Sequence, residues 1–207
     1  MLTMKLMRVE KINKRLRRLV TDCEDFYLCD SKWLETNRLE NDFEIDDEIE
    51  EELKEFTEAY SLERTLKYIE FKRRTEKEVS DHLKKIPVPE DIIRTSILKM
   101  VEYGMLDDEL YARDYIEELI EKNQSTYVIK MKSINKGIKE SLVESIMAEL
   151  NVVENEGFRA LRLIEKRCGN RDGKHDFNKL RQYLYGKGFS TDSIRKSMEN
   201  YFKGIAQ

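Results

Sequence analysis

Two adjacent carboxylates, two histidines and three cysteines are the residues of this chain whose types and spacing could carry out chemistry. Asp107 and Asp108, side by side, could hold a divalent metal or exchange protons as an acid/base pair. Their surroundings point elsewhere. They follow Gly104 and precede Leu110-Tyr111-Ala112, where an Asp accepts hydrogen bonds from the first amide groups of an incoming helix. His82 and His175 stand 93 residues apart, and neither lies beside a cysteine at ligand spacing. Cys168 and His175 bracket a loop, but two ligands fall short of a structural zinc site. Cys23 and Cys29 flank a turn and a strand and read as buried thiols. The sequence carries neither a glycine-rich phosphate loop nor a Gly-x-Ser-x-Gly turn. We therefore assign no catalytic residue, no metal ligand and no cofactor, and expect a binding protein rather than an enzyme.

Composition narrows the class of protein. The 207 residues hold 38 Lys+Arg against 42 Asp+Glu, a net of −4, with 39% charged residues, 2 Pro and 8 Gly. So little Pro and Gly excludes collagen-like, Pro-rich and Gly/Ser-linker proteins, while the abundance of Glu, Lys, Leu and Arg favours helix nearly throughout. No apolar run approaches the roughly 18 residues of a membrane span, so no membrane partner is expected. The first eight residues lack the apolar core of about 7–15 residues that a signal peptide needs. Three scattered cysteines fit a reducing compartment, and a cytoplasmic location is expected.

The first 58 residues predict a small β-element and an acidic helix. Lys5–Ile12, Arg15–Thr21 and Phe26–Cys29 alternate or cluster apolar residues as three strands of a meander, with turns at Asn13-Lys14 and Asp22–Asp25. A single amphipathic helix over 5–20 competes, because Leu6, Val9, Ile12, Leu16 and Leu19 also fit spacings of three and four. Ser31 is placed to cap a short helix over 32–37. Asp46-Asp47 opens an acidic helix from Glu48 to Tyr60 with Ile49, Leu53 and Phe56 as its stripe.

From residue 59 the sequence repeats. Val79, Leu83, Val88, Ile93 and Ile97 follow steps of 4, 5, 5 and 4. Ile129, Ser133, Ile138, Val143 and Met147 repeat those steps, as do Leu180, Leu184, Phe189, Ile194 and Met198. The anchors Val79, Ile129 and Leu180 lie 50 and 51 residues apart. Steps of four keep one helical face, and a step of five across Lys136-Gly137 or Lys187-Gly188 marks a helix end, so each segment reads as helix, tight turn, helix. A preceding helix is expected on Leu62, Leu66 and Ile69, on Ala112, Ile116 and Leu119, and on Phe158, Leu161 and Ile164. The expected fold is mainly α: an elongated array of three tandem three-helix, helix-turn-helix-like repeats over 59–104, 105–156 and 157–207, behind the 1–58 extension.

These residues carry a family resemblance. Arg73-Arg74-Thr75-Glu76-Lys77-Glu78-Val79-Ser80-Asp81-His82-Leu83-Lys84-Lys85, followed by Tyr103-Gly104-Met105-Leu106-Asp107-Asp108-Glu109-Leu110-Tyr111-Ala112-Arg113, resembles the RecX family of recombinase regulators. Lys136-Gly137-Ile138 and Lys187-Gly188-Phe189-Ser190 resemble the basic-Gly-apolar turns of its later repeats. The resemblance spans about residues 59–202. It departs from the family pattern at Met105, in place of an aromatic residue, and at Ile86-Pro87-Val88, in place of a Lys-Gly-apolar turn. It implies tandem three-helix repeats and an activity without chemistry: binding along the groove of the RecA–DNA filament and inhibiting strand exchange, ATP hydrolysis and co-protease function. The implied partners are the RecA filament and, through it, single- or double-stranded DNA bound weakly by the protein alone; a monomer is expected.

Charge says where such contacts would fall. Residues 1–58 carry a net of −7, 59–104 of +2, 105–156 of −6 and 157–207 of +7. Phosphate contacts need exposed Lys or Arg. The candidates are Arg73, Arg74, Lys84 and Lys85 in the first repeat and Lys130, Lys132 and Lys136 in the second. In the third they are Arg162, Lys166, Arg167, Arg171, Lys174, Arg181, Lys187, Arg195 and Lys196. Tyr183 and Tyr185 are placed either to stack on bases or to complete helix packing. Two other readings compete: a stand-alone helix-turn-helix transcriptional regulator and a helical scaffold that binds protein only. The helix expected over 140–150, with three acids and no Lys or Arg, opposes the first.

Overall fold

A computed structural model describes residues 4–23, 25–168 and 176–203. It divides into two compact units, Met1–Asp107 and Asp108–Gln207. The first unit opens with strands β1 (Met4–Lys11), β2 (Leu16–Thr21) and β3 (Phe26–Asp30), then helix α1 (Ser31–Asn37) and strand β4 (Glu44–Ile45). The antiparallel sheet has the order β3-β2-β1-β4. The meander expectation holds and the competing helix over 5–20 does not form. Asn13 closes the first turn by accepting from the Arg15 and Leu16 amides at 2.9 and 3.0 Å. The two-residue β4 pairs Met4 with Ile45 and Lys5 with Glu44, and is too short to show as a period in the sequence.

Helix α2 (Asp47–Ile69) corrects the expectation of separate helices on either side of residue 58. No Pro or Gly interrupts 47–69, so one helix runs through that boundary. Its buried stripe is also different from the one expected. Leu53, Thr57, Ser61 and Thr65 face inward, whereas Leu66 is 42% exposed. Thr57, Ser61 and Thr65 are small enough to permit close approach, and their hydroxyls are all satisfied. Thr57 Oγ1 donates to Leu53 O and accepts from the edge-strand amide of Leu28, while Ser96 Oγ meets Ser61 Oγ at 2.8 Å. A second correction falls on α1, whose cap is the Asp30 carboxylate on the Lys32 amide, not Ser31.

Helices α3 (Glu76–Leu83) and α4 (Glu90–Glu102) complete the first unit around Val79, Leu83, Val88, Ile93 and Ile97. Thr75 and Glu78 start α3 with a reciprocal capping box. In the second unit, α5 (Asp108–Glu121), α6 (Thr126–Asn135) and α7 (Glu140–Glu149) enclose one core. Helices α8 (Glu156–Cys168), α9 (Phe177–Gly186) and α10 (Thr191–Lys203) enclose another. All fifteen residues of the repeating pattern are buried, Ser133 included, whose hydroxyl donates to Ile129 O. The third copy's first helix differs from expectation: Ala160 and Ile164 are its core, while Phe158 is 64% exposed. Asp107 directly precedes α5 and Asp108 is its first residue, so of the pair Asp107 holds the capping position.

Gly104 and Gly188 both adopt left-handed φ, +66° and +82°. A Cβ at Gly104 would meet open space, whereas one at Gly188 would lie 3.0 Å from Ser125 Oγ and 3.3 Å from Tyr127 Cδ1. Gly104→Ala is expected to cost about 1 kcal/mol through backbone strain alone, and Gly188→Ala about 2–3 kcal/mol through strain plus displacement of Ser125. Chemical denaturation of the two variants checks the ranking; equal losses would contradict it.

Candidate nucleic-acid interface

The second unit presents several exposed cations with no ion pair among the described residues. Arg162 and Lys166 lie one turn apart on α8, both exposed, and neither has an acidic partner among the described residues. Lys166 and Arg167 occupy the last turn of α8, where the helix dipole favours positive charge. Arg167 places its guanidinium 4.3 Å from the centre of the Tyr183 ring on α9, and Lys187 brings its ammonium within 5.8 Å of the same ring. Tyr183 is half-buried against the core, so it braces two cations and the packing reading of this residue is the one realised. Tyr185 is 73% exposed and lies one turn from the exposed Arg181, giving a free aromatic face beside a cation.

Several other sequence candidates are paired with acids. Arg195 donates to Asp192 at 2.7 Å and Glu199 at 3.0 Å, and Lys196 reaches Asp192 at 2.7 Å. Lys130 sits between Glu140 and Glu144 at 2.7 and 2.6 Å, so it balances the acidic α7. Lys84 pairs with Glu90 at 3.0 Å. Arg74 lies 3.9 Å from Glu78 and stacks on Tyr68. Lys136 approaches Tyr115 at 5.9 Å. Lys85 and Lys132 are exposed, as is Arg73, which has partners of its own. Lys174, with Arg171 and His175, lies outside the described residues. Of the thiols, Cys23 is exposed, against expectation. Cys29 is buried, and burial, aided by the Asp30 charge, pushes its thiol up to about 12, far from the reactive thiolate form. Among the described residues no group of His, Cys, Asp and Glu is placed to hold a metal ion, and no helix is long and apolar enough to cross a membrane.

Sequence reading missed the buried joint that fixes the third repeat's helices against the second's. Glu156 is 4% exposed and accepts from the Thr126 amide at 2.8 Å and the Ser190 hydroxyl at 2.6 Å. Burial opposes its charge, but the hydrogen bonds from Ser190 and Thr126 win and hold its carboxyl below the usual range. Arg159, 3% exposed, donates to Gln124 O, Val152 O and Thr126 Oγ1 at 2.9, 2.7 and 3.1 Å. Ser125 Oγ closes the joint on Lys187 O at 2.9 Å. The joint thus holds the turn that carries Lys187. A signal existed: Ser125 and Ser190 both stand just before a helix. Their acceptors stand far off in sequence, Lys187 O for Ser125 and the Glu156 carboxylate for Ser190.

Two strands of observation define the class: three-helix bundles built on one repeated apolar register, and a cationic corner braced on an aromatic ring without assembled catalytic groups among the described residues. This is a mainly helical tandem-repeat protein with a small N-terminal antiparallel sheet. No protein-family model matches the chain. It is 30% identical over 200 residues to a regulatory protein RecX of Streptococcus agalactiae, covering 95% of this chain and 77% of that protein. It is 27% identical to the regulatory protein RecX of Streptococcus uberis, across 91% of this chain and 75% of that one. A crystal structure of a regulatory protein RecX, 24% identical, shares the fold with a TM-score of 0.61 over 93% of this chain and 97% of the other. The chain belongs to the RecX family of regulatory proteins.

Proposed function

We propose that this protein regulates RecA by binding the RecA–DNA filament, and that it acts as an inhibitor of strand exchange, ATP hydrolysis and co-protease function without chemistry of its own. The observation that carries the reading is the set of Arg162, Lys166, Arg167, Arg181 and Lys187, whose charges have no carboxylate partner among the described residues, while Arg195, Lys196 and Lys130 are paired. Sequence-independent contact with a phosphate backbone needs cations of the first kind. Three tandem units, read as 59–104, 105–156 and 157–207, give several weak contacts on one chain, and a polymer with regularly spaced subunits turns such contacts into avidity. A stand-alone DNA-reading helix is disfavoured, because α7 presents Glu140 and Glu144 and engages Lys130 with them.

The test adds the protein to RecA on single-stranded DNA and follows ATP hydrolysis and strand exchange. Both rates are expected to fall as the protein approaches stoichiometric amounts. Unchanged rates at excess, with tight binding of bare duplex at a defined site, would transfer support to the transcriptional reading.

A further inference from the structure

We infer that the first unit carries a separate phosphate-binding site, formed by Arg64, Arg74, His82 and Lys85 around the ring of Tyr68. Arg64 and Tyr68 stand one turn apart on α2. The His82 ring lies flat on Tyr68, with centroids 3.9 Å apart and planes within 1°. The Arg74 guanidinium lies 4.5 Å from the same Tyr68 ring. Tyr68 therefore acts as a plate that holds an imidazole and a guanidinium in fixed positions. Both Arg64 and Arg74 keep Nε buried without an acceptor, and Lys85 has no acidic partner among the described residues.

The charges around His82 come from every packed element. Arg64 stands on α2, Arg74 on the segment leading to α3, and Lys85 just after α3; of the acids, Glu78 is 3.9 Å from Arg74 and Glu90 of α4 is taken up by Lys84. Three permanent cations and an imidazole thus gather here, and among the described residues Glu78 is the carboxylate seen within ion-pair distance of one of them. Burial first, then Arg64, Lys85 and Arg74, hold the His82 pKa below its ordinary value. An oxyanion of tetrahedral geometry resolves this excess, since guanidinium forks match its oxygens and its charge restores the proton to His82. Binding is then coupled to proton uptake: it strengthens as pH falls from neutrality through the raised pKa. Neither Arg64 nor His82 belongs to the cationic corner of the other unit. The inference extends the reading of the chain as a binder of a nucleic-acid filament, and its readout is a proton rather than filament affinity, so the two fail separately.

The experiment is an NMR titration of both histidines in the full chain at constant ionic strength. Chloride is replaced by inorganic sulfate, a phosphate mimic that does not titrate in this range, or by a short oligothymidylate. The His82 pKa is expected to rise by about one unit, and by more than that of His175, which neighbours the candidate cation Lys174. A rise with the oligonucleotide assigns the site to backbone phosphate, and a rise with sulfate alone assigns it to a small phosphate; either supports the site. Arg64→Gln is expected to raise the His82 pKa without anion and to abolish the anion effect. The exposed Lys85→Gln, which leaves packing untouched, should reduce that effect. No shift with either probe, or equal shifts at His82 and His175, overturns the inference.

Discussion

Reversing three charges at once, Arg162→Glu, Arg181→Glu and Lys187→Glu, is expected to weaken binding to RecA–DNA filaments by about a hundredfold. The three positions are exposed, and the first two have no acidic partner among the described residues, so the folded state loses little when they change. Lys187 contributes its ammonium to Tyr183 at 5.8 Å, and its carbonyl, which every residue type retains, to Ser125. Each phosphate contact removed also removes a released counterion, so the salt dependence should flatten by about one unit of log–log slope per contact. A matched control is Arg195→Glu with Lys196→Glu. Those cations already satisfy Asp192 and Glu199, and their reversal should affect the helix more than the filament. Fluorescence-anisotropy titrations of RecA–DNA filaments at two salt concentrations separate the sets. Equal losses in both would remove the distinction between free and paired cations on which the assignment rests.

The second large effect is expected at Glu156. Glu156→Ala leaves the Thr126 and Ser190 amides and the Ser190 hydroxyl without their acceptor in a buried place, and should cost about 3 kcal/mol; Glu156→Gln, which keeps one acceptor, should cost about half as much. The pH dependence follows from the direction of its shift. Its carboxyl titrates lower in the folded chain than in the unfolded one, so its contribution is complete above the unfolded value of about 4.5. That contribution is lost as pH falls through the depressed folded value. Hydrogen exchange reads the effect locally: protection should drop in α6, α8 and α10 while α3 and α4 keep theirs. Unchanged protection around Thr126 and Ser190 in Glu156→Ala would mean that the joint does not hold these helices together.

The repeating register was legible because it depends on local geometry alone. Steps of four on a helix and five across a turn bring Val79, Ile129, Leu180 and their followers to one side whatever surrounds them, and all are buried. Ser133 shows the strength of that constraint, since a polar residue there is still inside and its hydroxyl donates a hydrogen bond to the backbone. The strands at 4–30 were legible for a similar reason, with Asn13 supplying a turn that the sequence itself displays. Part of the charge pairing was legible as well: Asp192 with Lys196 and Arg195 with Glu199 are spacings of four on one helix, and such pairs form without tertiary help.

What the linear sequence determined about this protein, then, is its repeated three-helix units, its opening strands, and the family resemblance carried by the Gly104–Arg113 stretch. Tertiary structure alone decided which face of each leading helix turns inward. Thr57, Ser61 and Thr65 displaced Leu66, and Ala160 displaced Phe158, because backbones pack closely only where side chains are small. It also decided which cations stay available, since Lys130 meets Glu140 and Glu144 across a turn, and Arg167 meets Tyr183 across two helices. The Glu156 joint and the stack of Arg74 and His82 on Tyr68 belong to the same group. Helical periodicity constrains neighbours three and four residues apart; groups separated by thirty residues meet only after the bundles have closed.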